Sequence, residues 1–202
     1  MDTPGRPSLI LLGDSIRMSY QPYVRQELGA RLDVWGPAEN CGTSRNLLDH
    51  LNRWALARPA SIIHLNAGLH DLRYDPGRDA PVVAIDEYAA NVRAILGRLR
   101  EHTGARLIWA TTTPVHEKLH AEHKLSRRRE SDVTSYNAIA ARIARELGVE
   151  IDDLCAAVLA HGPDALWSPD GVHFNDAGYR FLGAQVARHC TASTLSPESR
   201  SM

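Results

Sequence analysis

Three residue types that together can cleave an ester stand in one chain order: Ser15, Asp170 and His173. A serine hydroxyl attacks a carbonyl only when a neighbouring imidazole takes its proton. The imidazole needs a carboxylate to fix its tautomer, and the tetrahedral oxyanion needs preorganised N–H donors. Taken singly, each signal is open to a plainer reading. Ser15, in "GDSIR", reads as a nucleophile or as a helix N-cap. Asp170 and His173, in "SPDGVHFNDAGY", read as an acid–base pair or as a capping aspartate beside a surface histidine. Between them lie two glycine-bearing segments, "ENCGTSRN" with Gly42 and "NAGLHD" with Gly68, His70 and Asp71. Gly42 lets the backbone approach a ligand closely or simply makes a turn.

Other residues suggest rival chemistry. His116–Glu117–Lys118–Leu119–His120 spells H-E-x-x-H, the pattern of zinc metalloproteases, and His123 follows three residues later. Zinc chemistry needs both histidines on one face of a buried helix and a third ligand. Here Pro114 precedes the motif and the segment is polar on every face, so neither a metal nor a cofactor is expected. Arg127–Arg128–Arg129 reads as a solvated loop flank, with steering of anionic substrates as the lesser reading. Arg17 and Arg45 each follow a candidate site residue, and read as substrate contacts or as water-facing arginines. Trp167 reads as core or as the wall of an acyl pocket, and Trp35, Trp54 and Trp109 as packing.

The elements that must position these residues follow from hydrophobic patterning. Apolar runs at 8–13, 31–36, 61–66, 105–113 and 149–151 read as strands. Helix-period segments fall at about 19–29, 44–57, 86–102, 132–147 and 175–189, with Val133, Tyr136, Ile139, Ala140, Ile143 and Leu147 on one face of the fourth. Alternation of nearly continuous apolar strands with helices predicts a parallel sheet covered on both faces. In such sheets ligands bind beyond the carboxyl ends of the strands, where Ser15, Gly42 and His70 all fall. The stretch 116–130 reads as a polar insertion after the fourth strand, a mobile loop or short helix over that edge.

Composition narrows the function classes. The 202 residues fit one domain, with 44% hydrophobic and 23% charged residues as in ordinary globular proteins. A formal net charge of −1 argues against nucleic-acid or anionic-membrane binding. Cys41, Cys155 and Cys190 are widely spaced and read as free thiols. No run approaches the roughly 20 apolar residues of a membrane span, and "LILLG" is too short for a signal-peptide core, so the chain reads as cytoplasmic.

Gly13–Asp14–Ser15, the Gly42 loop, Gly68–Leu69–His70–Asp71 and Asp170–Gly171–Val172–His173 resemble, in order, the four sequence blocks of the SGNH (GDSL-type) hydrolases. "TTTPV" (111–115) and Tyr136–Asn137 are similar to segments of carbohydrate-esterase-like members. The resemblance implies a three-layer α/β/α fold with a flavodoxin-like five-stranded parallel sheet and a single domain over 1–190; the last dozen residues, "TASTLSPESRSM" (191–202), read from their composition as a disordered tail. The resemblance also implies Ser15 as nucleophile, His173 as base and Asp170 as its orienting carboxylate, with Asp14 and Asp71 supporting. The backbone N–H groups of Ser15 and Gly42 would form the oxyanion hole with a side chain from the third block. That block usually reads Gly-x-Asn-Asp, and here His70 holds the asparagine position. A neutral imidazole still has one N–H to give. A structural role or a base role for His70 are the alternatives. Asn40 and Asn46 flank the Gly42 loop as substitute amides, while Asn66 lies too far back along its strand. The implied substrate is a small or carbohydrate ester, with a short acyl group, acetyl first, passing through an acyl-enzyme. A thioesterase, lysophospholipase or acyltransferase using the same residues, or a silent binding protein, are the other readings. The sequence carries no signal for oligomeric state.

Overall fold

The computed structural model describes residues 6–192. Strands β1 (Ser8–Leu12), β2 (Asp33–Trp35), β3 (Ile62–Leu65), β4 (Arg106–Ala110) and β5 (Glu150–Asp152) form one parallel sheet in the order β2-β1-β3-β4-β5. This is the flavodoxin-like order, whose switch point lies between β1 and β3. Leu9–Leu12, Ile62–Leu65 and Leu107–Ala110 are all buried, as strands covered on both faces must be. Helix α1 (Ser15–Leu28) packs on α7 (Asp176–Ala192), which also meets α6 (Leu154–His161). On the other side α3 (Ile85–His102) packs on α2 (Ser44–Asp49) and α5 (Glu130–Glu146). A short helix, α4 (Glu117–His123), lies beyond the end of β4. His64 is a polar exception inside the sheet, paired to Asp152 Oδ2 at 3.1 Å.

The three-layer fold is as expected, and its departures have local causes. Helix α1 starts four residues earlier than its apolar period suggests, because Asp14 caps it, its carboxyl accepting the Ile16 N–H at 2.9 Å. The predicted helix 44–57 breaks after Asp49, and Asn52–Leu56 forms a π-helical turn. Strand 105–113 stops at Ala110 because the Asn137 amide takes over the Thr112 backbone. Its Oδ1 accepts from Thr112 N at 2.7 Å and its Nδ2 donates to Thr112 O at 2.8 Å. Helix α6 went unanticipated: "LCAAVLAH" is apolar on nearly every face and shows no helical period. Helix α7 continues to Ala192, into the segment expected to be a tail. Residues 1–5 and 193–202 lie outside the described residues. No described helix is long and apolar enough to cross a membrane. Cys41 and Cys190 are buried, Cys155 is half-buried, and all three are free thiols.

Candidate active site

Ser15 is the first residue of α1, directly after β1, so its side chain stands at the carboxyl edge of the sheet beside the switch point. The cap is Asp14, which frees the Ser15 hydroxyl for another partner. That partner is His173, whose Nε2 lies 2.8 Å from Ser15 Oγ. His173 Nδ1 lies 2.6 Å from Asp170 Oδ2. A carboxylate only accepts, so Nδ1 carries the proton and Nε2 presents a lone pair to the hydroxyl. The other Asp170 oxygen accepts the N–H groups of Val172 (3.1 Å) and His173 (2.9 Å), which fixes the turn that sets the three-residue spacing. Burial alone would raise the Asp170 carboxyl. The hydrogen bonds from the His173 ring and from those two N–H groups outweigh it, and hold the group well below the usual carboxylate range. The turn is closed by a short antiparallel contact between Trp167 and Phe174 and by the Ser168 N–H on His173 O at 2.9 Å.

The two loops across from this relay are tied to it and to each other. Cys41 N–H donates to Gly13 O at 3.1 Å, bringing the Gly42 loop beside Ser15. Arg17, read from sequence as a substrate contact or a water-facing residue, does neither: it is 2% exposed. Its guanidinium donates to Pro37 O (2.9 Å), Glu39 O (2.8 Å), Gly13 O (3.3 Å) and Gln21 Oε1 (3.0 Å), so it staples the loop after β2 to the start of α1. Arg45 is exposed, as its water-facing reading has it, and pairs with Glu87 while donating to Val82 O. Asp71 is fully buried and accepts from Ser44 N–H (2.9 and 3.1 Å) and Ser44 Oγ–H (2.6 Å), fastening the third loop to the start of α2. Burial pushes its carboxyl up to about 6, against the opposing Ser44 bonds.

Gly68 shows why this loop cannot carry a side chain there. With φ at 155°, an added Cβ would lie 2.0 Å from Thr112 Oγ1. Thr112 Oγ1 in turn donates to Ala67 O at 3.2 Å, so the "TTTP" segment braces the His70 loop from behind.

His70 is half-buried and close enough to Asp14, Arg128, Arg73 and His173 to feel their charges. Burial chiefly pushes its imidazole below the ordinary range; Asp14 opposes the shift, while Arg128, Arg73 and His173 add to it. The ring is therefore neutral near pH 7 and has one N–H to offer. The amides that might replace it are committed elsewhere. Asn66 Nδ2 donates to Ala110 O at 2.9 Å and Asn46 Nδ2 to Cys41 O at 2.9 Å. Asn40 presents its carbonyl instead: Oδ1 accepts the Gly42 N–H at 2.8 Å. The expected oxyanion donor at Gly42 is thus occupied by its own loop.

The 116–130 segment includes the short helix α4 beyond β4 and is largely exposed, but two of its polar side chains depart from the solvated reading. His120 and Arg128 are buried, and Arg127 and Arg129 lie over the Tyr74 ring at 5.5 and 4.7 Å. The two H-E-x-x-H histidines do not converge as metal ligands would. His116 caps α4, its Nδ1 accepting the Leu119 N–H at 3.3 Å, while His120 Nδ1 faces Asp170 O at 3.1 Å. Trp167 is half-buried against the core. It stacks on Phe174 with centroids 5.0 Å apart, and with Val115, Val133 and Leu159 it lines a cavity of about 300 Å³.

This arrangement, a strand-end serine with an imidazole and a carboxylate beside a parallel sheet, is that of a serine hydrolase. The sequence model of the GDSL-like lipase/acylhydrolase family matches residues 11–181, and the chain belongs to that family of ester-hydrolysing enzymes. Among solved structures, it is similar to the lipase/acylhydrolase from Enterococcus faecalis (TM-score 0.77, 18% identity, 96% of this chain and 99% of that one). It is similar also to the acetyl xylan esterase AlAXEase (TM-score 0.73, 18% identity, 94% and 100%). The acetylxylan esterase Axe2 from Geobacillus stearothermophilus is a third (TM-score 0.72, 20% identity, 97% and 97%). At these identities the likeness is one of fold. No curated protein sequence matches the chain.

Proposed function

We propose that the protein is a serine esterase that removes short acyl groups, acetyl first, through an acyl-enzyme on Ser15. The observation that carries this reading is the continuous contact from Ser15 Oγ through His173 to Asp170, at 2.8 and 2.6 Å. In it His173 Nε2 takes the serine proton as Oγ attacks the ester carbonyl, and then gives that proton to the departing alcohol. Asp170 holds the Nδ1–H tautomer and stabilises the imidazolium. Water, deprotonated by the same nitrogen, then cleaves the acyl-serine and releases the carboxylic acid. The Ser15 N–H at the start of α1 and the neutral His70 ring are the oxyanion donors in this reading, with Gly42 N–H joining when Asn40 lets go.

The preference for acetyl esters of carbohydrates is supported by the similarity of "TTTPV" and Tyr136–Asn137 to carbohydrate-esterase-like members, and by the two acetyl xylan esterases among the fold's neighbours. A longer acyl chain, as in a thioesterase or lysophospholipase, is favoured by one feature, the cavity beside Trp167 with its Val115, Val133 and Leu159 lining. A chain-length series of p-nitrophenyl esters from acetyl to dodecanoyl, run on wild type and Ser15→Ala, separates the two. The acetyl reading expects kcat/KM to fall with length and the variant to be inactive throughout. A maximum at a long chain moves the assignment to the second reading, and activity surviving in Ser15→Ala refutes both.

A further inference from the structure

The H-E-x-x-H motif and the arginine run, neither of which has a place in the chemistry above, meet behind the site. Arg128 Nε donates to Leu69 O at 2.8 Å, one residue before His70. Arg128 Nη1 lies 3.2 Å from His120 Nε2, and His120 Nδ1 lies 3.1 Å from Asp170 O. A guanidinium only donates and a carbonyl only accepts, so these contacts fix the ring as the neutral Nδ1–H tautomer. Hydrogen bonds therefore run without a break from the loop of His70 to the turn of Asp170, without passing through Ser15.

The path is buried and its ends are held. His120 is 2% exposed and Arg128 9%. Burial lowers the pKa of both side chains, the arginine to about 10, which agrees with a neutral His120. The Arg128 backbone is anchored by the pairing of its neighbour Arg127 with Tyr74, N–H to O at 2.9 Å in both directions. At the far end, His116 N–H donates to Gly171 O at 2.7 Å. Gly171 has φ at 66°, and a Cβ there would lie 2.6 Å from His116 O and 2.7 Å from His120 N, so α4 sits directly against the 170–173 turn.

We propose that Arg128 and His120 are positioning residues for ester hydrolysis, a two-link clamp that holds the oxyanion side of the site, through Leu69, at a fixed distance from the acid–base side, through Asp170. The proposal rests on the serine-esterase reading above. A displacement of about 1 Å between reacting groups can cost ~10²-fold in rate, so opening the clamp lowers kcat and leaves substrate binding nearly alone.

The test is kcat per Ser15 titrated with a phosphonate reagent, which removes any misfolded fraction from the count. Arg128→Ala and His120→Phe should each lower kcat by about tenfold or more, with KM within about twofold. Because a chain broken at either link is already open, the double variant should be no slower than the slower single one. Arg128→Lys, whose ammonium reaches only one of the two partners, should fall between wild type and Arg128→Ala, and it carries the test if the alanine variant does not fold. Independent, multiplicative losses, or kcat per titrated site unchanged in these variants, would overturn the clamp. A ¹⁵N NMR spectrum of His120 reads the same claim without turnover, expecting the neutral Nδ1–H form at pH 7. The Nε2–H tautomer or an imidazolium would overturn it. A wild type unable to hydrolyse any ester would instead overturn the esterase reading.

Discussion

The two halves of the site are built to different standards. On the acid–base side, Ser15, His173 and Asp170 are already in hydrogen-bond contact, and every oxygen of Asp170 has a donor. On the oxyanion side, Gly42 N–H is taken by Asn40, and the amide usual in this family is replaced by His70, a half-buried ring with one N–H. Proton transfer requires fixed partners before substrate arrives. An oxyanion hole must leave its donors free for a charge that exists only in the transition state. The contrast therefore locates what is particular to this chain in the second half; in the proposed mechanism Asn40 releases the Gly42 N–H and the His70 imidazole takes the place of an amide.

The comparison can be broken first at its strongest point. His173→Ala should lower kcat by ~10⁴-fold or more on an acetyl ester, since a serine without its base is left with only the binding and oxyanion contributions. A loss of less than about 100-fold would mean the 2.8 Å contact is not the working one. Next in size is His70→Ala, for which a loss of about 10²-fold in kcat is expected, the usual cost of one oxyanion donor. His70→Asn, restoring the family's amide, should recover most of it, and equal rates in all three proteins would remove His70 from catalysis.

Asn40 offers a smaller and more pointed test. A carboxylate at that position would hold the Gly42 N–H roughly twice as strongly and place a negative charge beside the developing oxyanion. Asn40→Asp should therefore cost about tenfold in kcat, and Asn40→Ala clearly less. If the two substitutions cost the same, Gly42 N–H takes no part.

The smallest effect on rate, though measurable in stability, concerns Asp71, which ties the two oxyanion loops together. Its folded-state value of about 6 lies above the ordinary 3.8. Its contribution to stability is therefore full below about pH 4 and is lost as pH rises through about 6. The loss amounts to roughly 3 kcal/mol by that difference. Thermal melts of wild type and Asp71→Asn between pH 4 and 7 should show a decline in wild type that the variant lacks. Parallel curves would contradict the buried-carboxylate account.

How much of this was legible in the sequence follows the range of the forces involved. Asp170 and His173, on the turn before α7 and far along the chain from any strand end, could be read only from their three-residue spacing. Ser15 could be read because it directly follows the first strand, and the strands announce themselves by continuous apolar runs. The parallel sheet was readable for the same reason. Arg17 was not: an arginine at a helix start ordinarily faces water, and the carbonyls of Pro37 and Glu39, 20 and 22 residues away, join the local acceptors Gly13 O and Gln21 Oε1 in making its burial tolerable. His120 and Arg128 were hidden in the same way: the stretch is polar on every face and largely exposed, and contacts with Asp170 and Leu69 go with the burial of these two side chains alone. Helix α6 was lost for the opposite reason, being too uniformly apolar to show a period. The H-E-x-x-H pattern did mark residues near the site, but its geometry serves hydrogen bonding to the 170–173 turn.

The central claim, covalent catalysis by Ser15, is tested most directly by rapid-quench mass spectrometry with a p-nitrophenyl acetate pulse. The account predicts one acetyl group on the peptide bearing Ser15, formed in a burst matching the first equivalent of nitrophenolate and absent in Ser15→Ala. Full turnover with no acetylated Ser15 peptide, or the same adduct on another residue in both proteins, would contradict it.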